Sequence, residues 1–371
     1  EVKEKYGDER RTEIKYTSEE FNPEDFYAND AMAITISHLG YIKRTLLDEY
    51  KQQAKGGVGS RGSRTREADF TEDLYAADAH DMLMFFTRQG RVHWLKCYEI
   101  PEGAKDSKGR AIQNLLMLEP GDSVNAVLAI KSQKFVDEQF LQTHNVVFAT
   151  KNGVVKKTRL ADYSHPRTKG VIAINILEGD EVVDVLLTNG TDELILASRN
   201  GRAVRFNEST IRTMGRVSTG VRGMNLNLEE EPDNYVVGMI VVNDPDNDTV
   251  MVVSDKGYGK RTKVEDYRVT NRGTKGVKTL NITDKTGNLL AIENVQDDED
   301  LMIINKSGIT IRFAVAGCRV MSRGTQGVKL IDLKKKNDYI ASVCKVMHVD
   351  EEPEEYDESA EGEAPEEGTL E

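Results

Sequence analysis

The chain has little of the residues that announce most kinds of chemistry. Among 371 residues there are one tryptophan, three cysteines, six histidines and eight prolines. The cysteines, Cys97, Cys318 and Cys344, are odd in number and far apart, so neither a disulfide framework nor a zinc site is implied, and a reducing compartment suits them best. The histidines, at 38, 80, 93, 144, 165 and 348, show no metal spacing and no pairing with a nucleophile. No G-x-x-x-x-G-K-[ST] loop occurs, which excludes ATP binding by that route. No run approaches the roughly 18 apolar residues of a membrane helix, and the opening Glu1-Val2-Lys3-Glu4 is neither a signal peptide nor a natural start, which points to a piece of a longer cytoplasmic protein. Two short matches are set aside. Gly57 to Gly62 fits the dinucleotide pattern but lacks a strand-turn-helix context, and Asp244, Asp246 and Asp248 start like a calcium loop whose sixth and twelfth positions are Thr249 and Asp255 rather than Gly and Glu.

The excess of acid is misleading as a guide to partners. Of the net charge of −13, twelve negative charges lie between Asp350 and Glu371, where there is no Lys or Arg, so the preceding 349 residues are nearly neutral. The tail has too little apolar surface to fold and is expected to be disordered, serving either solubility or competition with a polyanion for basic surface elsewhere.

What is present is repetition. Six segments share an apolar strand, a polar turn ending in Gly and a second short strand, with the turn glycines at 40, 90, 153, 201, 257 and 308. The intervals are 50, 63, 48, 56 and 51 residues, the period of a propeller-like array. Each opening reads as a β-hairpin, because turns such as Lys151-Asn152-Gly153 place Gly where positive φ is needed. A second signature follows: Thr168-Lys169-Gly170-Val171, Ser218-Thr219-Gly220-Val221, Thr274-Lys275-Gly276-Val277 and Thr325-Gln326-Gly327-Val328, with Lys55-Gly56-Gly57-Val58 and Lys108-Gly109 in the first two units. An apolar strand closes each unit. Short strands without helical periodicity predict an all-β disc over residues 30–349, preceded at 1–29 by the end of a helix and a linker, with Asn22-Pro23 resembling a helix cap.

Cations recur on the repeats. Four residues after the turn glycine stand Arg44, Lys157, Arg205, Arg261 and Arg312, with Lys43, Lys156 and Lys260 beside three of them; the second unit has Trp94 there, flanked by Arg91 and Lys96. Later loops add Arg167, Lys169, Arg216, Arg222, Arg272, Lys275, Arg323 and Lys329. A strand residue at a fixed offset recurs on one face of each sheet, so these are expected to form a basic rim. With few interleaved aromatics, such a rim suits a duplex phosphate backbone better than stacked single strands; the alternative is a solvated face that keeps the disc soluble. In the first unit, glycines at 56, 57, 59 and 62 with Arg61, Arg64 and Arg66 would let a backbone approach a phosphate, or form a flexible surface loop.

These residues resemble the gyrase A C-terminal domain family. Lys5 to Ile14 is similar to the junction leaving the catalytic part of that protein, and Gln53-Ala54-Lys55-Gly56-Gly57-Val58-Gly59 to the family's seven-residue box of Gln, basic, basic, Gly, Gly, basic, Gly. Ala54 and Val58 replace two of its three basic residues. The resemblance implies a six-bladed β-pinwheel that bends and wraps duplex DNA around a basic rim. It would present a segment in positive-handed wrap to the core for ATP-dependent negative supercoiling. It implies DNA contacts at Gln53, Lys55, Gly56, Gly57, Gly59, Arg61 and Arg64, and on the rim at the cations above. It also implies no catalytic residue or cofactor here, since ATP and magnesium serve only the holoenzyme, and a nucleoid-associated heterotetramer with the gyrase A core and gyrase B. Three alternatives are the related topoisomerase IV domain, with fewer or degenerate blades, a WD or kelch interaction propeller, whose motifs do not recur, and a propeller enzyme, which needs convergent acids or histidines around a central channel that the repeats do not display.

Overall fold

The computed structural model describes residues 2–7, 22–52, 60–61, 69, 71–333 and 338–348. Its core is a ring of six four-stranded sheets, each built on one of the expected hairpins: Ala31–Ser37 with Tyr41–Leu46, Met82–Thr87 with Arg91–Lys96, Asn145–Thr150 with Val154–Arg159, Glu193–Ser198 with Arg202–Asn207, Thr249–Ser254 with Tyr258–Lys263, and Glu299–Asn305 with Ile309–Ala314. The six turn glycines all have positive φ, between 77° and 85°. An inner strand pairs with the first strand of each hairpin: Thr71–Asp78, Val124–Ile130, Val182–Thr188, Val236–Val242, Leu289–Val295 and Ile340–Met347.

The fourth strand of every sheet comes from the following repeat. Arg110–Ala111 completes blade one, Val171–Ile172 blade two, Val221–Arg222 blade three, Val277–Lys278 blade four and Val328–Lys329 blade five. Ser60–Arg61 of the first repeat closes the ring on blade six, pairing with Thr310 and Ile309. The second glycine signature serves this exchange. A Cβ on Gly276 would sit 2.2 Å from the carbonyl oxygen of Ala203, and one on Gly327 2.4 Å from that of Gly259, so only glycine lets the exchanged strand reach its neighbour. In the first repeat the residue before the exchanged strand is Gly59, which corrects the expected register by two residues from Gly57.

Blades pack face to face, which explains why the first hairpin strands are apolar throughout. In Asn145–Thr150 every residue is buried, with Val146 and Phe148 in one interblade core and Val147 and Ala149 in the next. The long second interval holds two short helices, Ser132–Phe135 and Glu138–Thr143, which the sequence reading did not anticipate. At the N-terminal side lie a helix at Val2–Tyr6 and a 3₁₀ turn at Pro23–Phe26, whose Glu24 amide donates to the side chain of Asn22.

The inner strands surround a central cavity of about 770 Å³. Here one expectation is overturned: acids do converge on the channel, Asp73 from blade one, Asp184 from blade three and Glu293 from blade five, because alternate residues of the inner strands point inward. Burial pushes the carboxyls of Asp73 and Glu293 up to about 8 and that of Asp184 up to about 6, with Asp184 stabilised in part by the amides of Met239 and Val185. The folded state therefore holds protons that the unfolded chain has released, and this contribution falls as pH rises from the ordinary carboxylate range to about 8. A D73N/E293Q variant is expected to match the wild type in urea unfolding near pH 5 and to exceed it at pH 8, by on the order of 1 kcal/mol after solvent screening; a gap that did not widen with pH would refute a protonated channel.

Candidate nucleic-acid interface

The cations at a fixed offset from the turn glycines are not on the rim. Lys43, Arg44, Lys156, Lys157, Arg205, Lys260, Arg261 and Arg312 are all buried. Each interblade joint but one is fastened by the fourth-position cation, which donates to the carbonyls of the 3₁₀ turn after the next blade's hairpin. Arg44 donates to Ile100 O at 2.8 Å, Lys157 to Glu208 O at 3.0 Å, Arg205 to Val264 O at 2.9 Å, Arg261 to Val315 O at 3.1 Å, and Arg312 to Tyr50 O at 3.4 Å across the ring closure. Carboxylates complete the sites: Glu102 lies 3.0 Å from Arg44, Asp297 2.6 Å from Arg261 and Asp300 2.8 Å from Arg312, while Glu193 accepts from Arg205 at 2.7 Å. The neighbouring lysines tie down the exchange loops. Lys43 donates to Ala104 O and Lys105 O, Lys156 to Ala173 O and Arg216 O, and Lys260 to Ser322 O and Arg323 O. Burial pulls Lys156 down to about 7 and Lys43 and Lys260 down to about 8. These eight side chains are spent inside the protein, because a buried cation must keep its hydrogen-bonding partners.

Lys96 is corrected as well. It is half-buried and donates to Glu24 at 2.5 Å and to Ser132, and the bond from Lys96 holds the Glu24 carboxyl below its usual range. It fastens the N-terminal segment to blade two.

A recurring set of exposed cations lies on the exchanged strands and the loops before them. Arg167, Lys169 and Lys275 are exposed there, as are Lys108, Arg110, Arg222, Lys278 and Lys329. Arg91, Arg216, Arg272 and Arg323 are half-buried, and three of them also brace neighbouring strands: Arg91 donates to Lys169 O at 3.1 Å, Arg272 to Arg222 O at 2.9 Å, and Arg323 to Lys278 O at 3.0 Å. The sequence reading missed Arg212, Arg268 and Arg319. All three are exposed, and their side chains make no hydrogen bond or ion pair to the described residues. Their signal was legible: each opens an Arg-x-x-x-Arg element, and the elements recur at the same 56- and 51-residue spacings as the turn glycines.

Of the box residues, Gln53, Lys55, Gly56, Gly57 and Gly59 lie outside the described residues, as does Arg64. In the sequence Gly59 comes nine positions after Tyr50, as Gly109 comes nine after Ile100 and Gly276 nine after Tyr267. Arg61 lies in the ring-closing strand.

The family model described as "DNA gyrase C-terminal domain, beta-propeller" matches residues 31–77, 81–131, 144–189, 192–243, 248–296 and 299–344, one match per blade. The DNA gyrase A protein of Staphylococcus aureus (strain NCTC 8325 / PS 47) is 40% identical over 370 residues, covering 100% of this chain and 40% of that protein, so the chain spans well under half the length of such relatives. Among solved structures, a DNA gyrase A C-terminal domain superposes with a TM-score of 0.75 at 22% identity, covering 86% of this chain and 100% of that one. The C-terminal domain of a DNA topoisomerase IV superposes at 0.62 and 25% identity, covering 86% and 94%.

The two sets of cations are expected to separate in an unfolding experiment. Arg312→Met leaves the buried Asp300 without its cation and is expected to cost about 3–5 kcal/mol, whereas Arg319→Ala on the surface should stay within about 0.5 kcal/mol of the wild type. Equal losses in urea denaturation would contradict the division between joint and rim.

Proposed function

The chain belongs to the DNA gyrase C-terminal domain family, and from that premise we propose that it binds duplex DNA and bends it along the outer edge of the disc. The observation that carries this reading is the run of exposed, matched cations on the exchange loops of blades four, five and six, Arg212, Arg268 and Arg319, continued by Arg222, Lys278 and Lys329 on the exchanged strands. Each repeat supplies the same charge one blade further round, so a phosphate backbone that follows them must curve. Bending 20–30 base pairs costs on the order of 1–6 kcal/mol, and contacts to successive blades, available only to curved DNA, offset it. Guanidinium and ammonium groups on a rim with few aromatics favour phosphates over base edges, which gives weak sequence preference.

In this reading the box at Gln53–Gly59 completes the path in the first repeat, with Lys55, Arg61 and Arg64 as phosphate contacts and the glycines allowing close approach. The wrap is positive-handed and feeds a DNA segment to the catalytic part of a longer gyrase A protein. Gyrase B, ATP and magnesium act there, with strand cleavage assigned to that part and none to this one.

Two experiments bear on this. Binding that neutralises about six phosphates should give a log-log salt slope near −5, and R212E/R268E/R319E should flatten the slope and abolish bending in a fluorescence end-to-end assay; unchanged bending would move the path off these loops. Charge reversal at Arg205, Arg261 and Arg312 is unsuitable, because those side chains hold the joints. Separately, alanine replacement of Gln53 through Val58, sparing Gly59, should preserve binding to linear DNA while removing the supercoils trapped when nicked plasmid is ligated in the protein's presence. Trapped supercoils equal in number to the wild type would exclude the box from the wrap.

A further inference from the structure

All six hairpins run through their blades in the same sense, so their turns share one face of the disc. The segments that return from each exchanged strand to the next inner strand cross that face and are fastened to the turns. The amide of Gln89 donates to Asp122 at 3.1 Å, that of Asn152 to Asp180 at 2.9 Å, and that of Asn200 to Asn234 at 3.2 Å. In three successive repeats these segments expose a large apolar side chain: Met117 is 58% exposed, Leu177 55% and Leu228 42%. Exposed acids follow each, Glu119, Glu178, and Glu229 with Glu230. Of the turn cations beside them, Arg88 and Lys151 are both engaged by Glu181, and Arg199 lies over the ring of Tyr235. In the fifth repeat the corresponding segment reads Thr283-Asp284-Lys285 and exposes no large apolar group. Among the described return segments the feature is therefore a crescent on blades two to four, on the face rather than the rim.

One exposed Leu is ordinary, but a large apolar group in the same segment of three adjacent blades, each beside acid, is a surface with a chemistry of its own. Its acids repel phosphate, which excludes DNA and anionic lipid as occupants. We propose that this crescent docks a basic, apolar-studded protein surface carried by the remaining polypeptide of the longer protein. Size and charge both lead there. Three side chains fall far short of the roughly 1,000 Å² that a free-standing complex needs, whereas a tether raises the effective concentration of its partner to about the millimolar range. The chain spans 40% of the length of its relatives, which leaves a large tethered partner. The inference rests on the reading of this chain as part of a longer gyrase-type protein, while it is independent of the DNA path.

The test compares amide hydrogen exchange in the full-length protein with that in the 371-residue chain. Segments 112–123, 173–181 and 223–235 should exchange several-fold more slowly in the full-length protein, and the protection should vanish in M117S/L177S/L228S. E178K/E229K/E230K, which alters no apolar packing, should also release it, and both variants of the 371-residue chain should still bend DNA. Equal exchange in the two proteins would overturn the proposal, as would protection in the 371-residue chain that grows with its concentration, which would mean self-association. Loss of DNA bending in either variant would assign the crescent to the DNA path and overturn it too, whereas loss of bending only in the rim variant R212E/R268E/R319E leaves it intact.

Discussion

No blade of this ring can complete its own sheet. Each hairpin and inner strand leaves an outer edge of unpaired backbone, and the two residues that cover it arrive from the next repeat. Strand exchange makes the ring a chain of dependencies, and a buried cation reinforces five of its six joints. The guanidinium or ammonium group sits where the next blade's 3₁₀ turn aims its carbonyls inward, so it neutralises a site that would otherwise hold orphaned acceptors. The joint between blades two and three is made differently. Trp94 occupies the cation's position, the loop from Tyr163 to Gly170 is two residues shorter than its counterparts, and packing there rests on Phe86 set edge-on against Phe148 and Tyr163. That joint owes its cohesion chiefly to apolar burial.

Much of the fold could be read from the sequence because its signals are local. A turn that needs positive φ demands Gly at each hairpin whatever surrounds it, and six such glycines at near-even spacing count the blades. Exchange was not legible, since pairing Val277–Lys278 with Ala203 and Arg202 depends on a neighbour some 75 positions away in the chain. The fate of the cations was misread for the same reason. Periodicity correctly put Arg44, Lys157, Arg205, Arg261 and Arg312 in equivalent places, but whether a recurring charge faces water or a ring of carbonyls is decided by the next repeat. The exposed Arg212, Arg268 and Arg319 carried an equally regular signal and lie in loops, where no strand periodicity draws attention to them.

The channel carboxylates teach a related lesson. Asp184 and Glu293 stand as single acids in apolar inner strands and Asp73 beside Glu72 in a more polar one, and in the linear sequence nothing joins the three. Only closure of the ring brings blades one, three and five around a common axis. Desolvation then does to these carboxyls what it cannot do on an open sheet, which ties proton uptake to the assembled ring rather than to any one blade.

The closing strand follows the box residues directly in the chain and completes the ring. Gly59 is bonded directly to Ser60, and Ser60–Arg61 is the whole of the strand that completes blade six. The other five exchanged strands are as short, but each is followed and preceded by a blade already joined to its neighbours. The sixth instead brings together the two ends of the array, where Arg312 reaches Tyr50 and Gln52 reaches Asp300 at 3.2 Å. Opening any other joint parts two blades that are still consecutive in the chain, whereas opening this one parts the first blade from the last, and only the two-residue strand and these side-chain contacts oppose it.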